Sequence, residues 1–246
     1  MPQFNIEEMQ NPRVYPHAVT AVRLIQTHIS WVCLAGEFAY KIKKPVDFGF
    51  LDFSTLARRK ALCAAEFELN RRFAPALYTG VVPVVMVNGE LRVGGEGEAI
   101  EWTVKMRRFP QEAQLDERLA RDELTAADLA AFAVQLAAIH ERLPRLPPDD
   151  FGTADAVWRP VAENFLQVAT TSLRSRATEA VSNIEAWSAR HHRALRVTLD
   201  HRLAEGFVRE CHGDLHLANL VDLDGQILAF DCIEFSPVSY THLRAH

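Results

Sequence analysis

The chain has 246 residues, 48% hydrophobic and 24% charged, which is the balance of an ordinary folded protein with a core large enough to need no disulfide or metal staple. Its formal net charge of −5 argues against a broad nucleic-acid-binding surface, although a local basic pocket for a phosphate stays compatible with it. Four cysteines, at 33, 63, 211 and 232, form neither a CxxC nor a Cys/His ligand spacing, so reduced thiols in a cytoplasmic protein are expected. Glu7 and Glu8 stand where a signal peptide needs an apolar run, and the most apolar stretch, Ala126 to Ile139, is too short to span a bilayer. Only five of the 27 basic residues are lysine, and three of those, Lys41, Lys43 and Lys44, lie within four positions.

In chain order, the first strand signal runs from about Thr27 to Leu34, Ala35-Gly36-Glu37 is a turn, and Phe38 to Lys43 is a second strand ended by Pro45. Ser54 is the expected N-cap of a helix reaching about Phe73, which Ala74-Pro75 closes. Val81 to Val87 and Leu91 to Val93 read as strands joined by Asn88-Gly89, a type I′ hairpin signal, and Ile100 to Arg107 is a further strand. Residues 1–110 thus read as a twisted antiparallel sheet interrupted by one helix. Thr125 with Asp128 opens a helix through Leu143 whose stripe of Leu129, Phe132, Leu136, Ile139 and Leu143 is expected to be core. Helices over about 156–172 and 176–204 follow. The chain then returns to a small hairpin, Leu220-Val221 and Ile227 to Phe230, around Asp222-Leu223-Asp224-Gly225.

The segment that carries chemistry is Cys211-His212-Gly213-Asp214-Leu215-His216-Leu217-Ala218-Asn219-Leu220, followed by Phe230-Asp231-Cys232. Phosphoryl transfer asks a protein for a carboxylate to orient the attacking hydroxyl and for oxygen ligands to a metal that neutralises the phosphates. Asp214 and Asn219 on an irregular loop, with Asp231 folded back beside them by the hairpin, would supply these groups. His216 reads as a loop-packing histidine, His191-His192 as a solvated face, and Asp222 to Gly225 as a turn lacking the glutamate of a calcium loop.

His-Gly-Asp-x-His-x-x-Asn followed by an apolar-Asp strand end resembles the catalytic and metal loops of the aminoglycoside phosphotransferase and choline kinase group. The resemblance implies an α+β, bilobal protein-kinase-like fold: an N-terminal lobe of antiparallel sheet plus one helix and a mostly helical, here incomplete, C-terminal lobe. It implies Asp214 as catalytic base, His212 as structural anchor of the loop, Asn219 and Asp231 as Mg²⁺ ligands, and ATP as phosphoryl donor to a hydroxyl of a small molecule. Such a fold also needs a strand lysine on the phosphates and a helix glutamate to orient it. Lys41 fits the lysine, with Lys43 on the same strand face as a fallback. Glu66, on a stripe with Leu62, Leu69 and Phe73, fits the glutamate, whereas Glu68 looks solvated. Val104 to Phe109 would be the interlobe strand, offering backbone groups near Met106 to Arg108 to adenine.

Thr27 to Trp31, Lys43 to Phe53 and Leu69 to Arg72 carry a closer similarity to bacterial phosphotransferase-like proteins often fused to a C-terminal P-loop domain. No GxxxxGK[ST] occurs here. The expected divisions are an N-terminal lobe over 1–110, a C-terminal lobe over 111–237 and an artefactual tail over 238–246. Two departures from the group stand out. The nucleotide loop near Gln26 to Ser30 has no GxGxxG, so either Thr27, His28 and Ser30 cradle the phosphates or the cradling is weaker than in protein kinases, and only 15 residues follow Asp231. A non-catalytic nucleotide-binding module is the alternative reading. A metallophosphoesterase lacks its further metal motifs. The acceptor is not legible, although the acidic Asp149, Asp150 and Asp155 would suit a cationic one.

Overall fold

A computed structural model describes residues 4–48, 51–145, 152–171, 177–234 and 240–242. The chain divides into two compact units, one of residues 1–139 with 214–239 and the other of residues 140–213 with 240–246.

The first unit is built on a six-stranded, wholly antiparallel sheet in the order β1-β2-β3-β6-β4-β5. Its strands are β1 (Val22–Gln26), β2 (Ser30–Ala35), β3 (Phe38–Lys43), β4 (Tyr78–Val87), β5 (Glu90–Val93) and β6 (Ala99–Arg107). Turn chemistry sets the registers. Gly36, at φ 58°, closes the β2–β3 hairpin, and Asn88 and Gly89, at φ 53° and 82°, form the I′ turn expected between β4 and β5. The strand β1 was not foreseen, because Val22–Gln26 is a largely exposed edge without a buried alternation.

The alternation of β3 decides what each sheet face holds. Tyr40 and Ile42 point into a core with Met9, Val14, Tyr15 and Cys33, where the N-terminal residues form two 3₁₀ turns across the sheet. Ala39 points the other way, into a core with Cys63 of helix α1 (Leu56–Asn70) and Leu77. Lys41 and Lys43 share the Ala39 face. A slip of one residue would drive both lysines into the aromatic core, so the apolar partners fix the register.

The N-cap of α1 is Thr55, which accepts from the Arg58 N–H at 3.3 Å, and not Ser54. Ser54 is held instead by Asp52, at 2.9 Å from its N–H and 2.6 Å from its hydroxyl. After the sheet come α2 (Leu115–Ala120) and α3 (Ala126–Arg142). The latter opens on the reciprocal Thr125–Asp128 bonds its sequence suggests. Its stripe is less buried than expected: Phe132 is buried but Leu129 is 39% exposed. The hairpin of β8 (Leu220–Leu223) and β9 (Gln226–Ala229) completes this unit and packs Val221 and Leu228 into the Ala39 core.

The second unit holds α4 (Ala154–Ala169), α5 (Thr178–Ala204) and β7 (Val208–Glu210), the last paired antiparallel with β10 (Tyr240–His242). His192 is no solvated residue. It stacks on Trp158 at 5.0 Å and bonds the Ala154 carbonyl at 2.7 Å. The rest of the 238–246 segment lies outside the described residues, as do Asp149 and Asp150. Among the described residues no helix is long and apolar enough to cross a membrane. The mixed architecture, a curled antiparallel sheet with one packed helix followed by helices, is that of a kinase-like bilobal fold.

Candidate active site

The site grows from the Lys41 face of β3. Lys41 Nζ lies 2.9 Å from Glu66 Oε1 and also contacts Asp231 Oδ1. Lys43 Nζ lies 2.7 Å from the other Glu66 oxygen and contacts Glu234. One helix carboxylate therefore serves two strand lysines. The two differ in access: the Lys41 side chain is 13% exposed, that of Lys43 1%.

Burial of these charges is tolerated because every one has an opposite neighbour. Burial alone would pull the Lys41 ammonium down; Asp231 and Glu66 outweigh it and hold it well above the usual lysine range. Lys43 is likewise pushed up to about 12, burial being outweighed by Glu66 and Glu234. Glu66 is fully buried, and its two lysines keep it ionised against that burial.

Asp231 follows β9 with a left-handed backbone at φ 64°. That conformation is unusual for a residue with a side chain and costs on the order of 1 kcal/mol, so the surroundings must enforce it. They do so through backbone ties. The Asp231 N–H donates to Tyr78 Oη at 3.1 Å, and the Cys232 N–H donates to Asn70 Oδ1 at 2.9 Å. Tyr78 is buried, and burial beside Glu66 and Asp231 keeps its phenol protonated. Asn70 in turn donates to the Glu66 carbonyl at 2.8 Å.

The loop before β8 presents Asp214 and Asn219. Asn219 Nδ2 donates to the Asp214 carbonyl at 3.0 Å and to its carboxylate at 3.2 Å. This fixes the loop and turns Asn219 Oδ1 away as an oxygen donor. The Phe230 N–H donates to the Asn219 carbonyl at 3.0 Å, which ties the Asn219 loop to the residue before Asp231. The side chains of Asp214 and His216 are each 53% exposed, with 3.5 Å between His216 Nε2 and Asp214 Oδ2. His212, a residue of the second unit, is buried, and Gly213 after it takes φ 82°.

The structure thus joins Lys41, Glu66 and Asp231 directly and Asp214 to Asn219 directly. Met106 and Arg108 are placed differently. Met106 is paired on both sides, with Ala39 and Tyr78, and the N–H groups of Arg107 and Arg108 donate to Leu77 and Glu37 at 2.7 and 2.8 Å. Those two donors are spent within the protein. The Thr27–Ser30 turn is also closed on itself, by Thr27 N–H to the Ser30 carbonyl and Ser30 N–H to Thr27 Oγ1, both 2.9 Å. Asp155 pairs with Arg196 at 2.8 Å.

Glu234, Asn70 and Tyr78 were missed from the sequence. Asn70 alone carried a signal, lying one helical turn beyond Glu66 on the same inward stripe. Among the described residues no group of three His, Cys, Asp or Glu side chains is gathered to hold a metal by itself. Asn219 Oδ1 and the Asp231 carboxylate offer hard oxygen donors only, which suits Mg²⁺, an ion that keeps waters and takes the rest of its shell from phosphates.

A model of the phosphotransferase enzyme family matches residues 49–240. Uncharacterized proteins of Mycobacterium bovis and of two strains of Mycobacterium tuberculosis are 31% identical over 211 residues. The match covers 85% of this chain and 41% of each relative, so the chain spans less than half of their length. No solved structure matches.

Proposed function

Because the chain belongs to the phosphotransferase enzyme family, we propose that it moves the γ-phosphoryl group of ATP to a hydroxyl of a small molecule, with Mg²⁺ as cofactor. The observation that carries this reading is the junction of Lys41, Glu66 and Asp231, three residues 190 positions apart at their extremes, on one sheet face.

Lys41, the more accessible lysine, would hold the α- and β-phosphates, oriented by Glu66. Asn219 Oδ1 and the Asp231 carboxylate would hold Mg²⁺, which when bound neutralises charge on the β- and γ-phosphates. Asp214, half exposed and steadied by Asn219, would face the acceptor. The acceptor oxygen bonds to the γ-phosphorus as the bond from that phosphorus to the bridging oxygen breaks; ADP leaves, and the hydroxyl proton passes to Asp214. His212 would anchor the loop, and carbonyls between Met106 and Arg108 would receive the adenine amino group. The lobes would be 1–110 and 111–237. A small hydroxyl compound, not nucleic acid or a membrane, would be the partner, in the cytoplasm, and the whole protein would carry a fused P-loop domain.

The test is Mg·ATP-dependent thermal stabilisation together with phosphoryl transfer over a panel of acceptors. Asp214→Ala should keep the stabilisation and lose about 10²–10⁴-fold in transfer. Asp231→Ala should lose the stabilisation. Equal stabilisation of wild type and Asp231→Ala would reject the metal assignment, and full transfer by Asp214→Ala would reject the base. The closed Thr27–Ser30 turn, whose Thr27 and Ser30 N–H groups are spent on each other, favours a second reading, a nucleotide-binding module without turnover. Multiple turnovers on any acceptor exclude it.

A further inference from the structure

Lys43 has no place in the chemistry just described, yet it is among the most buried charges of the chain. Its side chain is 1% exposed and that of its partner Glu234 is 4% exposed. Its ammonium lies 5.0 Å from the centre of the buried Phe53 ring, and across the sheet it faces the buried Ser30. A nucleotide phosphate cannot reach it there. Together the charges form an alternating chain, Asp231–Lys41–Glu66–Lys43–Glu234, whose two ends are three residues apart on one segment. The chain closes on itself through the backbone.

That closure matters when a nucleotide arrives. Phosphates compete for Lys41, and a metal competes for Asp231, so the Lys41–Asp231 contact is the one that must open. Glu66, fully buried, would then hold a carboxylate whose first lysine is shared with a ligand. An unpaired buried carboxylate is strongly disfavoured. Lys43 stays on the second oxygen and prevents that. Glu234 meanwhile keeps the segment after Asp231 attached to β3, beside the ties to Tyr78 and Asn70.

We propose that Lys43 and Glu234 are a positioning pair: they hold Glu66 and the 231–234 segment in place while Lys41 is handed from Asp231 to the nucleotide. The hand-over rests on the phosphotransferase reading above. The holding of the segment does not.

Two measurements on the full chain separate these parts. The first is hydrogen exchange at the Asp231 and Cys232 amides without nucleotide. The second is the Kd for Mg·ATP. Glu234→Gln and Lys43→Met should each speed exchange at both amides by about tenfold or more while the Val104 and Met106 amides of β6 stay at wild-type rates. Each should also weaken Mg·ATP by about tenfold. Lys43→Arg, which keeps the charge, should restore most of both. Should Lys43→Met fail to fold, Glu234→Gln, which keeps the shape and removes the charge, carries the test. Wild-type exchange at Asp231 and Cys232 in Glu234→Gln overturns the proposal, as does a rise spread equally over β6. Wild-type Kd with faster exchange overturns the hand-over alone. A wild-type chain that does not bind Mg·ATP refutes the phosphotransferase reading and the hand-over with it, and the exchange result still decides whether the pair holds the segment.

Discussion

Two buried ion clusters sit on the same face of α1, two helical turns apart, and they are built from different cations. At Arg59 the guanidinium meets both oxygens of Glu101 through Nε, at 3.0 and 2.9 Å, and adds Nη2 at 2.8 Å. Its Nη1 donates to the Phe53 and Ser54 carbonyls, and Glu101 also accepts from the Trp102 N–H at 3.0 Å. Both oxygens of the one anion are held by the one cation. At Glu66 the cations are lysines, compact charges on flexible stems, and each lies between two carboxylates. A planar fork suits a fixed joint, whereas an ammonium can be passed from one anion to another. The helix thus carries a lock at one end of its buried face and an exchangeable contact at the other.

The largest effect should come from breaking the lock. Glu101→Ala leaves Arg59 buried with two carbonyls and no anion, at a cost of about 3–5 kcal/mol. Glu66→Ala leaves Lys41 on Asp231 and Lys43 on Glu234, so its cost should be smaller, about 1–3 kcal/mol. Urea denaturation measures both. Binding should rank them the other way: folded Glu101→Ala retains Mg·ATP binding and Glu66→Ala loses most of it. If both variants lose stability and binding in parallel, the two clusters do not differ in kind.

How far the sequence displays this contrast depends on whether a residue's partner is local. The lysine cluster was visible because a strand alternation and a helix stripe each carry a charge where an apolar residue is expected. Short-range turn chemistry was equally legible: Asn88-Gly89 and Asp224-Gly225 both take the left-handed pair of angles their residues favour. The Arg59–Glu101 lock was not visible, since its members are 42 positions apart and each looks like any surface charge in its own segment. Glu234 was hidden for the same reason, 191 positions from Lys43. Lys41 and Lys43 look alike in the sequence because both occupy one face of β3; the structure separates them in burial, at 13% and 1% exposed. The edge strand β1 and the six-residue α2 were missed because neither is long or buried enough to impose a period.

A milder change tests the role of the fork itself. Arg59→Lys keeps the charge and forfeits the paired bonds to Glu101 and those to Phe53 and Ser54. A loss of about 1.5–3 kcal/mol is expected, with Mg·ATP binding unaltered in the folded protein. The corresponding exchange at the other cluster, Lys43→Arg, should cost less, because each carboxylate there needs only one point charge. Equal losses in denaturation would mean that geometry is as stringent at Glu66 as at Glu101.

The smallest effect is one of pH, and it distinguishes the two carboxylates that flank Lys43. Burial alone would push Glu66 up, but Lys41 and Lys43 outweigh it and bring the carboxyl down to about 2. A value below that of the unfolded chain means that Glu66 stabilises the fold above its ordinary value near 4.5 and loses this contribution as pH falls towards 2. Glu234 goes the other way: burial outweighs the attraction of Lys43 and raises it. Its ionised form therefore costs stability at higher pH, and the cost is relieved as pH falls through the raised value to 4.5. Denaturation between pH 6 and pH 3 should then show opposite changes of slope. Glu66→Gln should lose stability less steeply than wild type as the solution is acidified, and Glu234→Gln more steeply. Parallel slopes in all three proteins would show that the lysines do not discriminate between the carboxylates they join, and that the chain of charges is not ordered as Glu66 first and Glu234 second.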